Sequence, residues 1–276
     1  MKLLSGLFWL LKHPNTKNHF LTLIKVCWWK VNQLLFKFPV LVKLTPKIKL
    51  ICPANNDYAS MIVYTTWPEF EQMHYLLKSL KTNSIFIDIG AGIGEHVILA
   101  ASKIKTGKII AFEPDDEARS YLTQSIQLNN LKSLVQVEKL VVAQKNGRIG
   151  FDNNQTSELR KISIAKRSPK LLAISLDSYC QKNKIKQIEL LKIDVEGAEF
   201  LVLSGAKQLL SQQKIQRLIV ELNPKCQTLG LTIKQTLQLL QQFNYQLFDE
   251  QQRKISNIST YLFNHQLTST IFAQAK

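Results

Sequence analysis

The stretch Phe86-Ile87-Asp88-Ile89-Gly90-Ala91-Gly92-Ile93-Gly94 decides the fold. A short apolar run, Ser84–Ile89, carries one acid, Asp88, and breaks into three glycines at alternate positions. Glu95–Lys105 follows, with Val97, Ile98, Ala100, Ala101 and Ile104 on one helical face. Strand, glycine turn and helix open a βαβ unit, and glycine lets the turn approach a ligand closely.

Outward from that turn the rhythm repeats. Lys108–Phe112 reads as a strand ending in Glu113; Pro114 and three acids then open a helix carrying Leu122, Ile126 and Leu128. Leu134–Val137, Ile188–Ile193 and Ile215–Val220 read as further strands, with helices through Leu210 and over Ile233–Phe243. Tyr245–Phe248 and either Ser259–Phe263 or Thr270–Phe272 are the late strands. Strands alternating with helices imply a parallel sheet with right-handed crossovers. Gln144–Gln187 interrupts the alternation with a hairpin around Gly147, a polar stretch Asp152–Glu158, and the basic residues Arg160, Lys161, Lys166, Arg167 and Lys170. A helix over Glu69–Leu80 delivers the chain to the first strand.

In such a sheet ligands sit beyond the carboxyl ends of the strands. Four strands here end in an acid: Asp88, Glu113, Asp194 and Glu221. The turn has the spacing G-x-G-x-G, whereas a dinucleotide fingerprint needs G-x-G-x-x-G, which would put Glu95 at the last glycine. Carboxylates there oppose a pyrophosphate and suit the sulfonium and ammonium of S-adenosylmethionine. Glu113, 23 residues beyond Gly90, stands where a carboxylate accepts both ribose hydroxyls. Glu138, Lys139 and Val141 are the candidates near the adenine. Asp194 ends the central strand beside the methyl position, and Glu196 and Glu199 share a helical face, with helix capping as the plain alternative. His96, directly after the glycine turn, is a candidate base, though a packed imidazole fits the same position. Asn223-Pro224 lacks the second proline and the aromatic of an N-P-P-aromatic turn.

The chain has 276 residues and a formal charge of +16, and half of that excess lies in residues 1–60, with nine lysines and one acid, Asp57. A basic surface attracts anions without choosing among nucleic acid, lipid and substrate. The four cysteines form no C-x-x-C pair, so reduced cytoplasmic thiols and no metal site are expected. The apolar run Leu3–Leu11 is too short to span a bilayer and lacks a secretory cleavage site. Leu3–Lys49 mixes Leu, Phe and three of the four tryptophans with isolated lysines. It suits either a helix lying peripherally on an anionic membrane or an arm packed on the main domain or a second subunit. The expected division is a basic, aromatic-rich helical N-terminal arm, 1–66, and a cofactor-binding domain, 67–276.

Phe86–Gly94, Ala111-Phe-Glu-Pro114, Ser175-Leu-Asp177, Leu191-Lys-Ile-Asp-Val-Glu-Gly-Ala-Glu199, Val202-Leu203 with Gly205, and Ile219-Val-Glu-Leu222 occur in an order and spacing that resemble the FkbM methyltransferase family. The resemblance implies an α/β, Rossmann-like methyltransferase fold: a mostly parallel seven-stranded sheet, last strand antiparallel, helices on both faces. It implies O-methylation of a sugar, glycolipid or secondary-metabolite hydroxyl with S-adenosylmethionine. Asp88, Gly90, Gly92 and Glu113 match its cofactor positions, with Ala91, Gly94, Pro114 and Glu138 beside them; Asp194 and Glu196 match the motif at the reacting centre. The family usually has Ala-Asn where Ala91-Gly92 stands here. The expected partner is thus a small-molecule or glycan hydroxyl acceptor. Two other readings fit the charge: a non-catalytic protein docking on membrane or nucleic acid, and a nucleic-acid methyltransferase. Asp88 and Glu113 oppose the first, and the incomplete Asn223-Pro224 turn counts against nucleic acid as the substrate.

Overall fold

The computed structural model describes residues 9–150, 170–264 and 268–276. The polar stretch Asp152–Glu158, the basic residues Arg160, Lys161, Lys166 and Arg167, and the start of the Leu3–Leu11 run lie outside them. The elements are, in order, α1 His19–Val31, β1 Val40–Lys43, β2 Lys49–Cys52, α2 Asp57–Thr65, α3 Phe70–Ser79, β3 Ile85–Ile89, α4 Glu95–Ala100, β4 Lys108–Phe112, α5 Asp116–Leu128 and β5 Val135–Glu138. There follow β6 Val141–Val142, β7 Gly147–Gly150, β8 Lys170–Ile174, α6 Leu176–Lys182, β9 Ile188–Ile193, α7 Glu199–Ser204, α8 Lys207–Ser211, β10 Ile215–Leu222, α9 Ile233–Gln242, β11 Tyr245–Phe248, α10 Ile258–Asn264 and β12 Ser269–Ala275.

Seven strands form the main sheet in the order β11-β12-β10-β9-β3-β4-β5. The five from β10 to β5 run parallel, and β12 is antiparallel to both its neighbours. This is the expected Rossmann-like methyltransferase sheet. The order reverses between β3 and β9, so their carboxyl ends open a crevice. Ser259–Phe263, one of the two late-strand alternatives, is helical in α10, and the strand role falls to the stretch holding Thr270–Phe272.

Period-two alternation sorts the side chains of the central strands. Ile87, Ile89, Leu191 and Ile193 pack on one face, and Phe86, Leu190 and Ile219 on the other. Asp88 and Lys192 are register partners and fall on the second face. That face is covered by N-terminal elements: Trp29 of α1, Ile62 of α2, Met73 and Leu76 of α3 and Val97 of α4 join its core. Residues on both sides of position 66 therefore share one core.

The segment expected to be a helical arm is only partly so. α1 is helical, but β1 and β2 form an antiparallel hairpin within it. Its first strand follows Pro39, beyond the left-handed Lys37 at which the helical run ends. The indole of Trp29, wholly buried, donates to Ser60 Oγ at 2.8 Å and fixes α1 on α2. Two other expectations change. The helix from Glu95 stops at Ala100 because the chain tightens into i→i+3 bonds from Ser102 to Leu99 and from Lys103 to Ala100. The stretch around Gly147 is no self-contained hairpin: β6 and β7 both pair with β8, which lies between them.

Candidate functional site

One cavity at the β3–β9 crevice is lined by the glycine turn, the end of β4, the chain after β9 and the start of α2. The turn takes its shape from two glycines with different tasks. Gly90, at φ +86°, lies so close to β9 that a Cβ would stand 1.8 Å from the carbonyl oxygen of Asp194. The Gly90 and Ala91 amides both donate to the Phe112 carbonyl, at 3.0 and 3.1 Å, tying the turn to β4. Gly92, at φ +55°, has nothing within 4 Å of where a Cβ would be, and it lines the cavity.

Glu113 joins the turn to the adjacent strand. Its Oε2 accepts from the Gly92 amide and its Oε1 from the Asp115 amide, both at 2.8 Å. Asp115 caps α5 by accepting from the Ala118 amide at 2.8 Å. A carboxylate oxygen has capacity beyond one such bond, so Glu113, at the cavity wall beside Pro114, can still accept hydroxyl protons.

On the opposite wall Asp194 and Glu196 reach the cavity. Asp194 Oδ2 lies 2.8 Å from Nζ of Lys192, whose side chain is 2% exposed. Burial opposes its ionisation, but the ammonium beside it, with a hydrogen bond to Glu221, keeps the Asp194 carboxyl below its ordinary range. Glu221 is pushed up to about 10 by burial and by the Asp194 charge, so it stays protonated at neutral pH. Glu196 stands at φ +55° and is held by Nδ2 of Asn223 at 2.9 Å and by the Lys225 ammonium. Its burial outweighs those contacts and raises its pKa. Asn223 also accepts from the Lys225 amide, so the Asn-Pro pair positions Glu196 and caps the short helical turn after β10.

The remaining predicted residues support the cavity from behind or from the side. Asp88 is 1% exposed and not in the cavity wall; burial lifts it to about 6. His96 is fully buried, with Nδ1 3.1 Å from Glu95 and Nε2 3.4 Å from Glu69. Its pKa is lowered, first by burial and then by Lys192. Because α4 begins beneath α3, the imidazole cannot touch an acceptor in this arrangement, which corrects its reading as a base. Gly94 packs on Leu122 of α5 and Ala91 is buried. Glu138 is engaged by Nε2 of Gln136 and the hydroxyl of Tyr179, outside the cavity lining; Leu140, Val141 and Val142 form the wall there. Glu199 turns inward to accept from the Gly197 amide at 2.8 Å, and burial raises it to about 7.

Four participants escaped the sequence reading. Tyr58 and Asn56, from the segment expected to be an arm, line the cavity. Lys192 and Glu69 complete the buried polar cluster behind it. A lysine flanked by Leu190, Leu191 and Ile193 in β9 was the available signal for the first of these two. Oδ1 of Asp88 is buried with no hydrogen-bond partner, and the buried Tyr58 hydroxyl sits beside the Glu69 and Glu95 carboxyls.

A Rossmann-like methyltransferase sheet with a glycine turn and strand-end carboxylates around one crevice defines the class. The Methyltransferase FkbM domain model matches residues 88–247, more than half of the chain, which belongs to that family. Hexuronic acid methyltransferase AglP of Haloferax volcanii is 25% identical over 157 residues, covering 56% of this chain and 62% of that protein. Methyltransferase sdnD of Sordaria araneosa is 26% identical over 167 residues, 49% of this chain and 64% of its own. 2-O-methyltransferase NoeI of Sinorhizobium fredii is 24% identical over 164 residues, 52% of this chain and 66% of its own. The match thus spans just under two thirds of each relative. Tyr58 and Glu69 lie ahead of the family match.

Proposed function

We propose that this chain is an S-adenosylmethionine-dependent O-methyltransferase whose acceptor is a hydroxyl of a sugar, glycolipid or secondary metabolite. The observation that carries the reading is Glu113. Its carboxylate is fixed by the Gly92 and Asp115 amides at the mouth of a glycine turn, where two adjacent ribose hydroxyls find an acceptor pair. A pyrophosphate would meet that same charge. Tyr58 and Glu95 line the cavity as a hydroxyl beside a carboxyl, which fits the ammonium of the amino-acid end. Leu140, Val141 and Val142 offer an apolar wall to the adenine.

The bound cofactor would supply an electrophilic methyl group. The chain's own residues bind, orient and take a proton. Asp194, held ionised by Lys192, is a poor base and a strong hydrogen-bond acceptor, suited to orienting the acceptor hydroxyl. Glu196, whose pKa burial raises where Lys192 helps to lower that of Asp194, is the better proton acceptor of the two. The printed names of AglP and NoeI, a hexuronic acid methyltransferase and a 2-O-methyltransferase, support a sugar hydroxyl.

Calorimetry with S-adenosylmethionine and with NAD tests the cofactor, and label transfer from methyl-labelled donor to uronic acids, neutral sugars and other hydroxyl compounds tests the acceptor. Binding of NAD in place of S-adenosylmethionine would sink the reading.

A further inference from the structure

α1 presents the inverse of an ordinary surface helix. Thr22 and Trp29 are buried against the body of the protein, while Phe20, Leu21, Leu23, Ile24, Trp28 and Val31 are all exposed. At about 100° per residue these six fill a sector of roughly 160° on the outer side, flanked by Lys25 and Lys30. The apolar surface continues beyond the helix through Leu34, Leu35, Phe36 and Phe38, 57–75% exposed, to Leu41 of the hairpin. Isolated exposed hydrophobes need no explanation, but a contiguous patch of this extent marks a contact surface.

Charge selects the partner. Residues 9–56 contain eight lysines and no acid. Two copies of this face would bring like charges together, which disfavours self-association. Nucleic acid would satisfy the lysines and leave the Phe, Leu and Trp side chains in water. We propose that this face docks the chain on an anionic lipid bilayer: the outer side chains of α1 and Leu34–Phe38 enter the interface while Lys25 and Lys30 meet phosphates at its rim. The buried Trp29 anchors the helix to the protein and the exposed Trp28 faces the headgroups. Among the described residues no helix is long and apolar enough to cross a membrane, so the contact is peripheral. The inference stands independently of methyl transfer.

The test is co-sedimentation of the full chain with vesicles of phosphatidylcholine alone or mixed with phosphatidylglycerol, without cofactor. Binding to the mixed vesicles that weakens in high salt is expected. Trp28 fluorescence should be quenched by brominated lipid, and the quenching should disappear in Trp28→Phe. Lys25→Gln with Lys30→Gln should lower partitioning about 25-fold, at about fivefold per lysine. Ile24→Asp with Leu35→Asp should abolish it while the thermal transition stays in place, because both side chains are exposed. Failure to bind anionic vesicles at low salt would overturn the proposal. So would a concentration-dependent dimer that Ile24→Asp dissolves, or retention on RNA without vesicle binding.

Discussion

Glu113→Gln separates charge from shape at the cofactor wall. The wild-type carboxylate accepts one amide on each oxygen, from Gly92 and from Asp115. A glutamine keeps one acceptor and turns an NH2 toward the other amide, so one charge-assisted bond becomes a donor–donor contact. The same replacement removes one of the two acceptors available to the ribose. A hydrogen bond to a charged group contributes about 1.5–3 kcal/mol, so the dissociation constant for S-adenosylmethionine should rise about ten- to 150-fold. Isothermal titration measures it, and urea unfolding of the cofactor-free protein measures the accompanying loss of stability. Glu138→Gln is the control: that carboxylate is engaged by Gln136 and Tyr179 away from the cavity, so its affinity should match wild type. An affinity within threefold of wild type for a folded Glu113→Gln protein would refute the assignment of Glu113 to the ribose.

Three further outcomes follow from the geometry. Gly90→Ala should cost more than about 3 kcal/mol in urea unfolding, since its Cβ would meet the Asp194 carbonyl at 1.8 Å, whereas Gly92→Ala should cost only the about 1–2 kcal/mol of a left-handed alanine and mainly weaken cofactor binding. Glu199 titrates near 7 in the fold against about 4.5 when unfolded, so its proton stabilises the fold below the lower value and that contribution is lost as pH rises through the higher one. Glu199→Gln, which mimics the protonated form, should therefore gain on wild type by about 1.4 kcal/mol per pH unit between pH 4.5 and 7 in denaturant titrations, and a parallel profile would contradict the pKa. Lys192→Met should destabilise by about 3 kcal/mol at neutral pH, the low end for a broken buried pair because Asp194 is a quarter exposed, and by less in acid where Asp194 takes a proton.

The main sheet was legible because strands covered on both faces must be apolar almost throughout, and Ile85–Ile89 and Ile109–Phe112 have that signature. The motif Ser175-Leu-Asp177 was readable as a pattern but not as a contact. Ser175 caps α6, and Asp177 accepts from the Gln208 and Leu209 amides at the start of α8, more than 30 residues away. The hairpin β1–β2 was hidden by the prolines and lysines around it, and β12 by the equal claims of two short mixed stretches. The strand-end acids told where the site is. They did not tell which acids face it: Glu113 and Asp194 follow the last residues of their strands and line the cavity, whereas Asp88 lies two residues earlier in register, inside β3, and is buried beneath it.

Burial also sets the site's electrostatics. The acids around the crevice do not all carry the same charge: burial raises Asp88 to about 6 and Glu95 to about 7, while Glu221 keeps its proton. Of the acids lining the cavity, Glu113 stands on one wall and Asp194 on the other, while Glu95 titrates around neutral pH. The buried Lys192 does not cancel the Asp194 charge. The ammonium is 2.8 Å from Asp194 and in register with Asp88, and its positive charge is what keeps Asp194 ionised in a place where burial would otherwise protonate it. A lysine under the floor of the site thus sustains a carboxylate at its surface, and the protonated Glu221 beside that carboxylate limits the repulsion. A cationic ligand between Glu113 and Asp194 would meet two fixed charges already oriented by backbone amides on one side and by an ammonium on the other, with little reorganisation left to do on binding.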